Sequence, residues 1–498
     1  MEERLPHGWA WTTLEDVTSP NRVPVQPSAQ QPLPFIGMEY VEAETMRLLG
    51  TGRSSGLRSI ALHFWPGDVL YGRLRPYLNK VLHADFEGLC SAEFIIFRDA
   101  PHLDSRYLQY FLNAWRFRDF AAHLNEGDRP RVDWDQIKSH PFPLAPIVEQ
   151  RRIVAAIEQQ FTRLDAGVAA LKRARARLKR YRASVLKAAV EGELTAEWRA
   201  AHPATETGTE LLRRILAERR ARWEADQRAK AKNQTKTRYW EPAGPDVAKL
   251  PELPEGWCWA TVKQIAEEIV DCPHSTAKFG TGNMACLDTN SMAPGRILLH
   301  KLRYVDKTTF DERNRRLVPR AGDLVFAREG TVGTAVSLPE VPAVCLGQRV
   351  MLIRPTRMYV SKYLECCMMS SIIRAQYLPL LLGSTVRHIN VDDVVRLAIS
   401  VPPLHEQTEI VSEVERCLSV VTALEATVEA NLKRAERLRQ SILHEAFSGR
   451  LVAQDSNDEP ASILLERIQA ARTEPRPARD RRNGSRQPEL WDAHAAGS

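Results

Sequence analysis

The chain is built from two copies of one sequence pattern, and this internal repeat constrains its fold more than any other feature. The motif L-P-x-G-W-x-W at Leu5–Trp11 returns about 250 residues later at Leu253–Trp259. A Gly-Asp-apolar-apolar motif occurs at Gly67–Leu70 and again at Gly322–Val325. Repetition at this length predicts two similar structural units within one chain.

The second part of each copy matches its counterpart without a gap. The pattern P-x-x-E-Q-x-x-I occurs at Pro146–Ile153 and Pro403–Ile410. Further on, the same Ser, Leu and Gly positions recur at Ser184–Leu194 and Ser441–Leu451. Insertions between the copies therefore fall in their first parts. We interpret each copy as a variable head followed by a stem of fixed length.

The heads, roughly 1–145 and 253–402, mix strand-like and helix-like patterns. Short apolar runs bounded by Gly, Pro and Asp, such as 94–97 and 350–353, are typical of buried strands. Helix-like segments lie at 105–119 and 361–378. Each head is therefore predicted to be a mixed α/β domain.

Both stems carry apolar residues at the alternating spacing of four and three that is typical of a coiled coil. These positions are, in the first stem, Ile153, Ile157, Gln160, Leu164, Gly167, Leu171, Ala174, Leu178, Tyr181, Val185 and Ala188, and in the second stem, Ile410, Val414, Cys417, Val421, Leu424, Val428, Asn431, Ala435, Leu438, Ile442 and Glu445. Two stems in one chain are predicted to pair with each other, most simply antiparallel. Two independent amphipathic helices, each lying on its own head, are the alternative.

The repeat boundaries divide the chain into six segments. They are the first head (1–145), the first stem helix (146–195), a connecting helical segment and linker (196–252), the second head (253–402), the second stem helix (403–452), and a C-terminal helical segment with a disordered tail (453–498). The predicted fold class is α+β. It comprises two mixed α/β domains separated by two long helices paired as an antiparallel coiled coil, with an internal pseudo-two-fold repeat.

Composition and charge narrow the class of protein. Of the 498 residues, 44% are hydrophobic and 26% charged, as in soluble globular chains. Lys and Arg number 69 against 62 Asp and Glu, and the net charge of +7 favours a polyanionic partner. The eight cysteines form no Cys-x-x-Cys pair, and no apolar run is long enough to span a membrane. We therefore expect a cytoplasmic protein with reduced thiols.

Patterns typical of catalysis are missing from the sequence. A G-x-x-x-x-G-K-[ST] loop does not occur, so ATP-driven work is not expected of this chain. The glycine-rich stretches 280–282 and 330–333 are incomplete as dinucleotide loops and are interpreted as turns. The His-Glu pairs at 405–406 and 444–445 lack the second histidine of a zinc site. We expect no catalytic, cofactor-binding or metal-binding residues.

Basic and small polar residues on predicted loops of both heads are the candidates for contacts with DNA. The candidates are Arg73, Arg75, Lys80, Arg129 and Arg131 in the first head, and His274, Ser275, Thr276, Lys278, Arg328, Thr331, Thr385, Arg387 and His388 in the second. Arg and Lys neutralise phosphates, and Arg bound through two hydrogen bonds to guanine is the commonest specific base contact. For any single candidate, a solvated surface charge is the alternative interpretation.

With these motifs the chain resembles the specificity subunits of type I restriction–modification enzymes. The resemblance covers nearly the whole chain and depends on three doubled elements: the L-P-x-G-W-x-W opening, the Gly-Asp-apolar-apolar motif, and the P-x-x-E-Q-x-x-I entry to a long helix. Segments 35–39 and 271–276 also resemble segments of the family. Copy one departs at Ala145–Val148, where the family and copy two have a proline pair followed by Leu.

The resemblance implies that each head is a target-recognition domain that reads one half of a split double-stranded DNA site. It also implies that two methyltransferase subunits dock on the stem helices and that restriction subunits join them. Methylation and cleavage, with their S-adenosylmethionine, ATP and Mg²⁺, then belong to the partner subunits. No individual DNA contact follows from the resemblance, because the base-reading residues vary within the family.

Two other classes of function stay open at the level of sequence. A fused DNA methyltransferase or nuclease with its own specificity repeats requires an N/D-P-P-Y/F motif or a clustered acidic core, and neither is found. A coiled-coil scaffold with no role in DNA recognition requires only the stems. Its assembly with a partner would bind DNA without a fixed sequence.

Overall fold

The computed structural model describes residues 5–28, 32–57, 59–230, 238–273, 275–340 and 344–473. These residues divide into a first unit, Met1–Ala170 with Asn431–Ser498, and a second unit, Leu171–Ala430. The part of the predicted disordered tail from 474 onward lies outside the described residues.

The first head combines small sheets with short helices. Its elements are β1 (Ala10–Thr13), α1 (Leu14–Val17), β2 (Pro24–Val25), β3 (Pro34–Ile36), β4 (Gly52–Arg53), β5 (Ala61–Phe64), β6 (Val69–Gly72), β7 (Val81–His83), β8 (Gly88–Cys90), β9 (Phe94–Phe97), α2 (Ser105–Asn113), α3 (Trp115–His123), α4 (Trp134–Ile137) and β10 (Pro141–Leu144). The sheets have the strand orders β2-β5-β8-β3-β4, β7-β6-β9 and β1-β10. The central strand β6 is buried on both faces, with Val69 and Tyr71 in the core that holds the helices and Leu70 in the core beneath the five-stranded sheet.

Along the chain, one helix of 45 residues precedes the second head and one helix of 44 residues follows it. The elements that follow the first head are α5 (Ile147–Glu191), α6 (Ala196–Ala201), α7 (Gly208–Lys230), β11 (Cys258–Thr261), α8 (Val262–Ile265), β12 (Ala266–Asp271), β13 (Phe279–Leu287), β14 (Met292–Ala293), β15 (Arg296–Ile297), β16 (Arg303–Val305), α9 (Lys307–Arg313), β17 (Leu324–Ala327), β18 (Ala335–Ser337), β19 (Val344–Leu346), β20 (Val350–Pro355), α10 (Ser361–Met369), α11 (Ser371–Tyr377), α12 (Val391–Val394), β21 (Ala398–Val401), α13 (Leu404–Phe447) and α14 (Ala461–Thr473). The sheets are β12-β20-β17-β18, β16-β13-β19, β11-β21 and β14-β15. As β6 does in the first head, β17 lies between two antiparallel neighbours.

The helix-like segments predicted at 105–119 and 361–378 are helical, and each consists of two short helices. The chain breaks at Ala114 and at Ser370, whose backbones are extended, with ψ of 143° and 158°. The Ser370 hydroxyl accepts a hydrogen bond from the Ile373 N–H, so a local side-chain contact restarts the helix there.

The Gly-Asp motif forms the same turn before β6 and before β17. Gly67 and Gly322 adopt left-handed backbones, with φ of +92° and +83°. The Asp68 carboxylate accepts the N–H of Trp65 at 2.9 Å, and the Asp323 carboxylate accepts the N–H of Arg320 at 2.9 Å. The motif therefore recurs because one turn starts the central strand in both heads.

A buried glutamine joins each long helix to its own head. The Gln150 side chain accepts the N–H of Asp104 at 2.9 Å and donates to the carbonyl of Ala145 at 2.9 Å. Gln407 makes the same two bonds, accepting from Val360 at 2.8 Å and donating to Pro402 at 3.0 Å. Both glutamines are fully buried. They fix the start of each long helix against a short helix and a strand end of its head.

The two long helices end in the same way, at glycines that contact the opening motif of a head. Gly192 and Gly449 have φ of +79° and +70°. The N–H of the following residue donates back to a carbonyl five positions earlier, as in a Schellman motif. A side chain at Gly449 would overlap Pro6, and one at Gly192 would overlap Pro254. Each opening motif therefore packs against the end of the long helix that belongs to the other copy.

Within each unit, one half of α5 contacts one half of α13. In the second unit Arg175 lies 3.6 Å from Glu429, and Arg182 donates to Thr422 at 3.1 Å. In the first unit Arg439 pairs with Asp165. The ends of the predicted heptad seams are buried, including Ile153, Ile157, Val185, Ile410 and Ile442.

Six predicted seam residues are exposed. Three of them are the polar or small Gln160, Gly167 and Asn431, and the other three are Tyr181, Leu424 and Leu438, which are 51%, 47% and 49% exposed. Near their ends the long helices pack on the heads as well as on each other, whereas in the middle they have only each other. Two helices alone cover one side of an apolar stripe and leave its other side in solvent.

Replacing Gln407 by Leu is expected to destabilise the second unit by at least about 2 kcal/mol. The change leaves the Val360 N–H and the Pro402 carbonyl without the hydrogen bonds that Gln407 provides. Each such group costs about 1–3 kcal/mol when it is buried without a partner. Urea unfolding followed by tryptophan fluorescence measures the loss. Gln159→Leu, at an exposed position of α5 outside the predicted seam, is the matched control and should change the free energy of unfolding little. Equal effects of the two variants would contradict the role given to Gln407.

Candidate nucleic-acid interface

In the first unit, three distant segments meet where β6 ends. The N–H of Arg73 donates to the carbonyl of Glu93 at 2.9 Å, and the N–H of Val132 donates to the carbonyl of Arg73 at 3.0 Å. The N–H of Arg75 donates to the carbonyl of Pro130 at 2.7 Å. We call these segments, 73–75, 93 and 130–132, the first clamp. They bring together four of the five candidates of the first head. Arg73, Arg75 and Arg131 lie within the clamp, and Arg129 directly precedes it.

The second unit contains the same arrangement where β17 ends. Arg328 donates its N–H to the carbonyl of Arg349 at 3.0 Å and accepts the N–H of Ile389 at 2.9 Å. The N–H of Gly330 donates to the carbonyl of Arg387 at 2.9 Å. We call these segments, 328–330, 349 and 387–389, the second clamp. Each of its three backbone bonds has a counterpart in the first clamp.

Two of the arginines in the first clamp are neutralised by carboxylates. The Arg131 guanidinium contacts both oxygens of Glu93, the shortest contact being 2.8 Å, and holds the pKa of that carboxyl below its ordinary value. Arg73 pairs with Asp133. Arg75 and Arg129 are exposed, and the described part of the chain offers neither of them an ion-pair partner. These two cations remain available to a polyanion.

In the second clamp the candidate Arg328 has a structural position. Its side chain is 7% exposed, and Nε and Nη2 lie 2.7 and 2.9 Å from the two carboxylate oxygens of Asp271. A carboxylate of Glu329 lies 3.4 Å away. Arg387 is exposed beside these groups, so it rather than Arg328 presents charge to the surface.

The remaining candidates are distributed around the clamps. Thr331 and Thr385 are exposed in the turns next to Gly330 and Arg387, and His388 lies in the second clamp itself. Thr276 accepts a hydrogen bond from Gln348 at 2.9 Å, next to Arg349.

Other candidates have local partners or lie apart. The carbonyl of Ser275 accepts from Arg313 at 3.2 Å. Lys80 donates to the carbonyl of Met38, and burial lowers its pKa. Lys278 is exposed on the loop before β13, and His274 lies outside the described residues.

Sequence reasoning did not find the acidic partners of the clamps or Arg349. Glu93 is 38 residues from Arg131, and Asp271 is 57 residues from Arg328, so no local spacing reveals these pairs. Arg349 has φ of +68° and is half exposed next to Glu329. Its position after Gly347 in a strand-to-strand turn was the available signal.

Neither a metal site nor a membrane span emerges from the described ranges. Within them, no group of three or more His, Cys, Asp and Glu side chains is placed to hold a metal ion. Over the same ranges, no helix is both long and apolar enough to cross a membrane.

The sequence is similar to those of known proteins. Residues 289–434 match the family model described as the type I restriction modification DNA specificity domain. The chain is 30% identical to the type I restriction enzyme EcoDI specificity subunit of Escherichia coli over 233 residues, which are 44% of this chain and 50% of that subunit. The chain thus spans about half the length of that relative. It is 24% identical to the EcoKI specificity subunit of Escherichia coli (strain K12) over 410 residues, covering 78% of this chain and 76% of that one.

A solved structure shares the fold over nearly the whole chain. It is described as "Structural basis underlying complex assembly and conformational transition of the type I R-M system", and the match covers 90% of this chain and 99% of that chain. The TM-score is 0.58 at 19% sequence identity. At this identity the similarity concerns the fold alone.

Replacing Asp271 by Asn is expected to destabilise the second unit by about 3 kcal/mol. The change leaves the nearly buried Arg328 cation with only the more distant Glu329, and breaking such a buried pair costs about 3–5 kcal/mol. Hydrogen exchange of the β17 and β20 amides measures the loss. Asp311→Asn, which breaks the exposed pair with Lys307, is the control and should cost less than about 1 kcal/mol. Unchanged exchange in Asp271→Asn would show that Arg328 is not structural.

Proposed function

We propose that this chain, which belongs to the specificity subunits of type I restriction–modification enzymes, reads a bipartite double-stranded DNA target and directs methyltransferase and restriction subunits to it. Each head is a target-recognition domain for one half-site. The chain itself is non-catalytic.

The observation that carries this proposal is the duplication of the clamp. Two heads whose loop sequences differ hold the same three segments by the same three backbone hydrogen bonds. Around this shared frame the side chains differ, with exposed Arg75 and Arg129 in one head and exposed Arg387 and Thr385 in the other. A constant frame with variable polar and basic side chains suits two readers of two different base sequences.

We further propose that the two long helices pair antiparallel and act as the spacer between the readers. Residue numbers rise along one helix while they fall along the other: Arg175 is near Glu429, and seven residues later Arg182 is near Thr422. Adding the repeat offset to Arg182 gives Arg439, which pairs with Asp165, the repeat counterpart of Thr422. This reciprocity supports the internal repeat, because each unit contains the equivalent contact between the two helices.

The same pseudo-symmetry supports two methyltransferase subunits, one for each equivalent surface of the spacer. Arg177 and Arg434 occupy matching positions on the two helices, as do Arg180 and Arg437, and all four are exposed. In this proposal the methyltransferase subunits hold S-adenosylmethionine, and the restriction subunits hold ATP and Mg²⁺.

Replacing residues 253–402 by the matching head of a relative is expected to change one half-site and leave the other intact. The reason is that each head has its own core and its own clamp. The full-length chimera is assembled with its methyltransferase subunits, and methylation of a randomised DNA library reports the target. The chain without partner subunits is the control and should transfer no methyl groups. A simultaneous change in both half-sites would contradict two separate readers.

Adding one heptad to both long helices is expected to lengthen the unspecific gap of the target by about three base pairs. Seven residues add roughly 10 Å of helix, and base pairs are about 3.4 Å apart. Duplicating 171–177 in α5 and 428–434 in α13 keeps the facing residues in register. The same insert in one helix alone is the control, since it should disrupt pairing and lower the Tm. An unchanged gap in the double insert would contradict the spacer.

A further inference from the structure

The backbone of Arg75 has a conformation that an arginine rarely adopts. Its φ of 53° and ψ of 64° lie in the left-handed region, which L-residues other than glycine, asparagine and aspartate seldom enter. The clamp bond from the Arg75 N–H to the Pro130 carbonyl, 2.7 Å long, holds it there. The side chain is exposed.

The equivalent position of the second clamp shows what the fold requires at this point. Gly330 has φ of +71° and makes the equivalent bond to the Arg387 carbonyl at 2.9 Å. Glycine therefore satisfies the backbone geometry without steric cost. An arginine at position 75 adds backbone strain that the clamp does not need. Backbone strain of this kind is found mainly at residues whose side chains have a function other than stabilising the fold.

The surroundings of Arg75 indicate the chemistry of that task. Arg73 and Arg131, its neighbours in the first clamp, are held by Asp133 and Glu93. Among the described residues no carboxylate lies within ion-pair distance of the Arg75 guanidinium. A free guanidinium presents a planar fork of donors that matches the O6 and N7 acceptors of guanine in the major groove.

We propose that Arg75 is a specificity-determining residue of the first head and contacts a guanine of its half-site. This inference rests on the proposed function and names one contact within it. The paired Arg73 and Arg131 are positioning residues that hold the clamp, and they do not contact bases.

Two substitutions of Arg75 separate base reading from charge and from folding. Arg75→Gly removes the side chain and suits the backbone, and Arg75→Lys keeps the charge without the fork. Each full-length variant is assembled with its methyltransferase subunits, and methylation of a randomised DNA library is sequenced. In Arg75→Gly we expect discrimination at one base pair of one half-site to fall roughly 10- to 100-fold. In Arg75→Lys, which can donate to guanine but lacks the fork, we expect a smaller loss at the same base pair. The Tm of Arg75→Gly should not fall below that of the unsubstituted chain.

Other outcomes have definite meanings. Retained discrimination in Arg75→Gly, with weaker binding to all DNA sequences, would overturn the proposal in favour of a phosphate contact. A lower Tm with an unchanged target in Arg75→Gly would overturn it in favour of a structural role. Arg163→Ala, at an exposed position of α5, is the control and should leave both half-sites unchanged. If the unsubstituted assembly selects no bipartite target, the proposed function itself fails, which is distinct from a failure at Arg75 alone.

Discussion

The rest of the structure depends on the buried polar residues at the start of each long helix. Gln150 and Gln407 are fully buried, and each fixes a helix start to its head by one accepted and one donated backbone hydrogen bond. Because a buried amide without partners is costly, the direction in which each helix leaves its head is set by chemistry and not by apolar packing alone.

Glu406, the neighbour of Gln407, extends this constraint to the chain segment after α5. One carboxylate oxygen accepts from Thr195 and Arg199, both at 2.8 Å, and the other accepts from the Trp257 indole at 2.9 Å. The entry of one long helix, the exit of the other and the opening motif of the second head therefore share one buried anion. In the first copy, Glu149 occupies the position equivalent to Glu406, and its carboxylate accepts a hydrogen bond from Gln454 at 3.3 Å.

Sequence patterns predicted the parts of the fold that depend on local periodicity. The two long helices, their glycine stops and the mixed α/β character of the heads all follow from spacing and turn residues. The sequence did not predict the breaks at Ala114 and Ser370, because each break interrupts an otherwise continuous helical pattern for a single residue. It did not predict the clamps either, because their hydrogen bonds join segments that are far apart in sequence, as with Arg75 and Pro130.

At the candidate interface, the type of residue on a predicted loop indicated a contact with DNA, but the sequence did not predict the ion-pair partners. Arginine suits phosphates and guanine, and most of the loop arginines meet at the two clamps. Which arginine is neutralised depends on carboxylates brought in by the fold, such as Glu93 for Arg131 and Asp271 for Arg328. Net charge and local sequence carry no information about such partners.

The contacts of Pro6 with Gly449 and of Pro254 with Gly192 exchange helix ends between the two copies. Each opening motif packs against the helix end of the opposite copy, so a polypeptide holding one head and one long helix would lack the other copy that supplies this contact. Two such half-length polypeptides satisfy each other by symmetry. A gene encoding a single copy thus has a direct structural route to a homodimer, and fusion of two such genes would free the two heads to diverge.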